Sequence, residues 1–197
     1  MKSALIVLGS LLGLVLLAGF WFMGVYNGLV SRQETVNGAW AQVQNVYQRR
    51  ADLVPNLVET VKGSANFEKS TLTAVVEARS RVGSIKLDKS VLNDPEQFKK
   101  FDEAQGQLSG ALSRLMVIVE KYPELKANAN FRDLQVQLEG TENRITVERR
   151  DFNEVVVAYN TAIRKMPASL VASFGGFKER PYFEAAAEAQ KAPQVKF

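Results

Sequence analysis

The feature that most constrains this chain is an uncharged, apolar run from Ala4 to Tyr26, in which Ser10 is the one clearly polar residue. No Asp, Glu, Lys or Arg occurs between Lys2 and Arg32. About 20 helical residues, at 1.5 Å each, cross the roughly 30 Å hydrocarbon core of a bilayer. Within that core a helix is the single-segment structure that satisfies its own backbone polar groups. A secretory signal has an apolar core of roughly 7–15 residues followed by an Ala-x-Ala-like site. This run is longer and has no such site after it, so residues 4–26 read as an uncleaved single-pass anchor. Leu17-Ala18-Gly19 is the kind of triplet that precedes a lipidated Cys, but Phe20 stands in the acceptor position. Trp21 and Phe22 lie where interfacial aromatics are expected. Gly9 and Gly13 have small-x-x-x-small spacing, which is either a helix–helix contact or two ordinary membrane glycines.

The 197 residues include no His and no Cys. Cys–His nucleophiles, Ser-His-Asp triads, His-ligated haem and the usual zinc sites are thereby excluded. Glu-x-x-His pairs of helical di-iron sites go with them. The 25 basic and 21 acidic residues leave a net charge of +4, spread along the chain instead of clustered. That distribution describes a mixed-charge solvated surface and does not support nucleic acid as a partner. Lys2 and the terminal amine oppose Arg32 across the apolar run, which favours an N-terminus in the cytoplasm. The remaining domain is then expected on the opposite side of the membrane.

Beyond the anchor the pattern is helical throughout. Asn27-Gly28 is turn-prone, and Ser31-Arg32-Gln33-Glu34 fits a capping box, so a hinge and a fresh helix start are expected near Ser31. Val36, Trp40, Val43, Tyr47, Ala51, Val54, Val58 and Val61 then recur in steps of three and four. Pro55 should interrupt that helix, and Lys62-Gly63 should end it. A shorter helix carries Phe67, Leu72, Val75, Val76 and Val82, and Ser84 to Asn93 reads as a loop. Asp94-Pro95 supplies an N-cap and first-turn proline for the next helix. Its seam of Phe98, Phe101, Gln105, Leu108, Leu112, Leu115, Val119 and Tyr122 is coiled-coil-like, with Gln105 as a polar break. A last long helix runs through Phe131, Leu134, Leu138, Ile145, Phe152, Val156, Tyr159, Ile163 and Met166 to Pro167. The longest helices cover about 30–35 residues, or about 45–50 Å. The predicted fold is all-α: a transmembrane helix followed by an antiparallel up-and-down bundle of about four helices. The expected divisions are 1–30 for anchor and hinge, 31–184 for the bundle and 185–197 for a C-terminal tail.

Candidate contact residues are few. Arg49, Arg50, Arg149 and Arg150 form two basic pairs. They suit either a phosphate or lipid headgroup or salt bridges to neighbours such as Asp52 and Asp151. Glu139 with Glu142, or Glu148 with Glu154, are acidic pairs of the sort a carboxylate-dependent enzyme needs, but helical surfaces carry many such pairs. Asn56, Asn143, Asn153 and Asn160 lie on or beside apolar faces, where buried amides fix register. Phe174, Phe177, Tyr182 and Phe183 either cap one end of the bundle or form a partner-binding patch. The tail ends Ala192-Pro193-Gln194-Val195-Lys196-Phe197. It reads as a disordered end, or as a PDZ ligand through Val195 and Phe197. No catalytic, cofactor-binding or metal-ligating residue is assigned.

Several stretches together resemble the LemA family of bacterial membrane proteins. They are Tyr26-Asn27-Gly28-Leu29-Val30, Ala39-Trp40, the run from Arg49 to Val58, Thr60-Val61-Lys62-Gly63, the run from Tyr122 to Asn128, and Phe131 followed by Leu134-Gln135. Thr141-Glu142-Asn143-Arg144-Ile145, Phe152-Asn153 and Tyr159-Asn160 complete the set. The resemblance spans about residues 26–185 and implies an N-terminally anchored helical bundle with no established enzymatic activity. Some relatives resemble lipoproteins, with Cys where this chain has Phe20, which implies an exported domain on the periplasmic or extracytoplasmic side of a bacterial cytoplasmic (inner) membrane, although other relatives have been drawn with the domain in the cytoplasm. Others sit in magnetosome membranes or beside membrane metalloproteases, which implies an organising role. The expected function is therefore a non-catalytic, self-associating scaffold or adaptor of the cell envelope, whose partners include a membrane protease or PDZ-bearing protein. The alternative is an anionic-lipid-binding or membrane-shaping module built on the arginines.

Overall fold

The computed structural model describes residues 2–63, 67–85 and 88–184, and no strand occurs among them. The predicted all-α class is observed. The first helix, α1 (Lys2–Lys62), is 61 residues long and joins the apolar run to the first bundle helix without a break. There follow α2 (Lys69–Ser84), a 3₁₀ turn at Lys89–Asn93, α3 (Pro95–Val119), α4 (Pro123–Ala127), α5 (Ala129–Arg164) and α6 (Ala168–Gly175).

The continuity of α1 replaces the expected hinge near Ser31. Ser31 does not cap. Its carbonyl accepts from the Thr35 hydroxyl at 3.0 Å, and the Glu34 carboxylate accepts from Asn37 at 3.0 Å instead of reaching back. A capping box has work to do only at a helix start, where four N–H groups lack partners. Here the preceding turns supply those partners. Leu29 and Val36 are both buried, so packing holds the chain helical across the turn-prone Asn27-Gly28 pair. Pro55 likewise lies inside α1 and does not end it.

The other helix ends follow the sequence closely. Lys62 closes α1. The Asp94 side chain accepts from the backbone N–H of Glu96 and Gln97, with Pro95 in the first turn. Asn128 caps α5 by accepting from Phe131 N–H at 3.1 Å. The expected loop between α2 and α3 contains the 3₁₀ turn, capped by Asp88, which buries Val91 and Leu92.

Contacts between named side chains give the topology. Trp40, Tyr47 and Arg50 on α1 meet Phe98, Phe101 and Gln105 on α3 in the same order, so these two helices run parallel. The same three residues meet Phe152, Arg149 and Glu142 on α5 in reverse order, which makes α5 antiparallel to both. Arg79 on α2 donates to the Ala51 carbonyl and Arg81 to Gln107, while Phe67 just before α2 meets Tyr122 just after α3 at 5.0 Å, so α2 runs antiparallel to α3 and the long helices go up-down-up-down.

The core has two halves. The one nearer the apolar run contains Leu29, Val36, Trp40, Phe98, Phe152, Val156 and Phe183; the far one contains Val54, Leu57, Val75, Leu108, Leu115 and Leu138. Trp40 is fully buried at the centre of the near half, with the rings of Phe98, Phe101, Phe152 and Phe183 at 5.3–6.3 Å. Aromatic pairs of this kind add about 0.5–1.5 kcal/mol each beyond the area they bury. Phe183 reaches this cluster from the extended segment after α6, so that segment belongs to the core. The expected aromatic cap divides accordingly: Phe183 is buried and Phe177 half-buried, while Phe174 and Tyr182 are exposed.

A candidate functional site: the polar belt and the strapped end

Between the two apolar halves lies a belt of charged and amide side chains. Arg50 is 1% exposed. Its position follows from helical spacing, since it comes three residues after Tyr47 and four before Val54, both on the buried face of α1. Its guanidinium donates to Glu142 at 2.7 Å, to the Gln105 carbonyl at 3.2 Å, and to the side chains of Gln105 and Ser109. Glu142 is buried on one side only, keeping 39% of its side chain exposed. A buried charge is tolerated when it is paired and hydrogen-bonded, and here the acidic partner and Ser109 reach toward water while Gln105 is buried with the arginine. Arg50 Nε and Gln105 Nε2 are nevertheless buried without a hydrogen bond.

One turn nearer the apolar run a second arginine completes the belt. Arg149 on α5 donates to Asp102 at 2.6 Å and to the Tyr47 hydroxyl at 3.1 Å, and lies over the Phe183 ring at 4.1 Å. Arg50 lies over the Tyr47 ring at 5.1 Å, so Tyr47 bridges the two cations. Burial raises the Tyr47 phenol above its ordinary value, against the opposing pull of Arg149 and Arg50. The Arg149 guanidinium is held above its ordinary value: burial works against its charge, but Tyr47 and Asp102 outweigh it.

The segment after α6 is strapped along α5 by amides. Asn160 and Asn153 are seven residues apart, two turns on one face. Asn160 donates to the Arg180 carbonyl at 2.8 Å and accepts from Arg180 N–H at 2.9 Å; Asn153 does the same with Phe183 at 2.8 and 2.9 Å. Each amide thus replaces a peptide partner, the one arrangement that satisfies an extended backbone beside a helix. Tyr159 donates to the Lys178 carbonyl at 3.0 Å, and burial raises its phenol too. The buried Arg180 donates to the Leu92 carbonyl at 3.2 Å and to Asn93, tying the strap to the 3₁₀ turn.

The sequence candidates separate in space. Arg50 and Arg149 belong to the belt, with their terminal guanidinium nitrogens bonded inside the bundle. Arg49 is exposed, and Arg150 is exposed beside Asp151 at 3.0 Å, one of the salt bridges expected from sequence. Asp52 accepts from Gln48. The acidic pairs do not face one another as pairs. Glu142 serves Arg50, Glu139 accepts from Gln135, Glu148 pairs with Arg144, and Glu154 lies 3.9 Å from Arg150. Val195 and Phe197 lie outside the described residues.

Sequence reasoning missed the partnership of Arg50 with Gln105 and Glu142, and the signal was present. Gln105 breaks an apolar seam, and Glu142 follows Leu138 by four and precedes Ile145 by three. Three polar residues on inward faces of three helices invite pairing. The strap is harder to see, because an extended segment held by side-chain amides has no periodicity. An open groove of about 370 Å³ between α2 and α3 is lined by Thr71, Ala78, Arg81, Gln107, Gly110 and Arg114. Its wall mixes small and charged side chains, and Arg81 is turned onto Gln107 at 2.8 Å.

The helical rod with an apolar end is the architecture the resemblance implied. The family model described as "LemA family" matches residues 39–197. The chain belongs to the LemA family. It is 30% identical over 174 residues to the magnetosome protein MamQ of Magnetospirillum gryphiswaldense, covering 80% of this chain and 64% of that protein. MamQ 2 of Paramagnetospirillum magneticum is 29% identical over 175 residues, 81% of this chain and 64% of the relative. Protein LemA of Metamycoplasma hominis is 26% identical over 145 residues, 73% of this chain and 62% of that protein. The chain therefore spans somewhat under two thirds of the length of these relatives. Among the described residues, α1 is the one helix long and apolar enough to cross a membrane, and its most apolar stretch is not buried by the rest of the protein. Together these findings fit a membrane-associated helical protein.

Proposed function

We propose that this LemA-family protein is a non-catalytic, membrane-tethered scaffold of the bacterial cell envelope that works as a self-associating rod. The observation that carries the reading is the unbroken α1. Its first third exposes Leu5, Leu11, Leu14, Leu17 and Phe20 at 60–72%, and its remainder forms a wall of the bundle core. Such exposure is unfavourable in water and natural in lipid, where residues 4–26 anchor the rod. Even the Ser10 hydroxyl is satisfied within the helix, donating to the Val7 carbonyl at 2.9 Å.

Self-association is supported by Gly9 and Gly13. Open space surrounds both on the exposed anchor surface, as a close helix–helix approach requires. The non-catalytic reading is supported by the belt, whose charged groups are spent on one another. The inner membrane, the outward-facing bundle and a membrane-protease or PDZ-bearing partner complete the proposal. The magnetosome location carried in the names of the MamQ relatives supports a membrane setting of some kind.

The test is crosslinking and native mass measurement of the full chain in mild detergent and in vesicles. Discrete oligomers that weaken on Gly9→Leu and Gly13→Leu substitution are expected. A strict monomer that carries no co-purifying protein would retire the scaffold reading. The lipid-binding alternative meets a geometric limit. Arg49 lies 23 residues beyond Tyr26 on α1, about 35 Å along the helix. A headgroup reached from Arg49 would thus lie on a second, apposed membrane.

A further inference from the structure

We propose that α6 and the corner before it form a second membrane contact, seated at headgroup level beside the point where α1 leaves the bilayer. This inference rests on the reading of residues 4–26 as the anchor. Three observations place it. First, α6 packs against the end of the apolar run. The Phe177 ring meets Tyr26 edge-on at 5.4 Å, and a Cβ added to Gly175 would lie 3.0 Å from the Tyr26 ring. Phe174 and its neighbours are therefore level with Tyr26, at the depth where the aromatic belt of a spanning helix lies.

Second, the outward face of α6 is apolar. Val171 and Ala172 turn into the core, while Met166, Leu170 and Phe174, four residues apart in turn, are 71%, 54% and 85% exposed. Elsewhere in the bundle, among the described residues, the large apolar side chains left exposed are scattered valines and Tyr182. Three large apolar residues, Leu170 and Phe174 one turn apart on α6 and Met166 in the corner before it, are thus exposed together in one place, and that place adjoins the span. Third, the charges flanking this patch are predominantly basic. Lys165 and Lys178 are exposed on either side of it, and Arg164 lies 3.8 Å from Glu179. Apolar side chains in the acyl boundary with lysines at the phosphates describe an interfacial helix, and continuity with the anchor selects lipid over protein as its occupant.

The absence of Cys makes the chain a ready host for single-site labels. Phe174→Cys, Leu14→Cys and Val136→Cys, all at exposed positions, are each labelled with an environment-sensitive fluorophore in the full chain. The labelled proteins are reconstituted in vesicles of three parts phosphatidylethanolamine to one part phosphatidylglycerol. Quenching is then read with lipids brominated high or low on the acyl chain. The expected result is quenching at position 174 mainly by high bromines, at 14 mainly by low ones, and at 136 by neither. Lys165→Glu with Lys178→Glu should reduce quenching at 174 and leave 14 unchanged. Quenching at 14 without quenching at 174 overturns the contact while the anchor stands. A blue-shifted but unquenched label at 174 means that protein covers α6, and overturns it equally. Equal quenching at 174 and 136 means a bundle lying flat on the bilayer and also refutes it. No quenching at 14 removes the anchor and this inference together.

Discussion

Replacing the polar centre of the belt by carbon should be less harmful than removing half of it. Arg50→Met keeps much of the side-chain volume but leaves the Gln105 amide, itself 1% exposed, without a partner for its carbonyl oxygen as well as for its nitrogen. A stranded buried amide costs about 1–3 kcal/mol. Gln105→Leu alone takes one acceptor from a buried guanidinium that retains Glu142, Ser109 and a backbone carbonyl, and a lost charged hydrogen bond costs about 1.5–3 kcal/mol. In the double variant neither group is left stranded. Glu142 can turn to water through its exposed edge, and Ser109 still reaches it at 3.3 Å. The double variant should therefore be more stable than either single one, with a coupling of about 1–3 kcal/mol. Urea titration of the four proteins in one mild detergent, followed by circular dichroism, measures the cycle. If the two losses simply add, the belt is not the coupled unit described above.

Three further outcomes follow from the same geometry. Asn160→Ala removes two hydrogen bonds from the Arg180 backbone, about 1–3 kcal/mol, and should open the Lys178–Glu179 bond to trypsin well before the bundle is cut, the Arg180–Pro181 bond being resistant; an unchanged digestion pattern would show that Asn153, Tyr159 and Phe183 hold the strap without Asn160. Gly175→Ala places a methyl 2.6 Å from the Phe177 ring, so overpacking of about 1–3 kcal/mol should lower the melting temperature, and an unshifted melt would mean that the ring moves freely. Tyr47 and Tyr159 have phenols raised in the folded state, so the unfolded chain ionises first; stability should fall as pH rises through about 10, and this alkaline loss should shrink in Tyr47→Phe with Tyr159→Phe. An alkaline limb of the same steepness in that variant would locate the titration elsewhere.

The sequence was a good guide wherever one residue type has one local job. Asp94-Pro95 started α3, Lys62-Gly63 ended α1, and the seam from Phe98 to Val119 is buried as its spacing required. It misled where local preference met packing. Asn27-Gly28 and Ser31 favour a break, but Leu29 and Val36 are anchored in the core on either side, and that outweighs a turn propensity. The belt was half legible. Gln105 shows as a break in the seam, whereas Arg50 reads only as half of a basic pair with Arg49, of which the structure buries Arg50 and exposes Arg49. The α6 helix was not legible, because eight residues are too few for periodicity to separate it from a loop.

With residues 4–26 in the bilayer, as proposed above, the unbroken α1 makes the protein a lever with its fulcrum there. From Tyr26 to Lys62 the helix continues for 36 residues, about 54 Å, so tilting the embedded part by about 10° sweeps the far end sideways by about 9 Å. Spanning helices tilt when the hydrocarbon around them thins. A jointed connection would absorb that rotation; this one passes it undiminished to Val58 and Val61 in the far core, so that the opposite pole of the bundle would be carried along with the tilt.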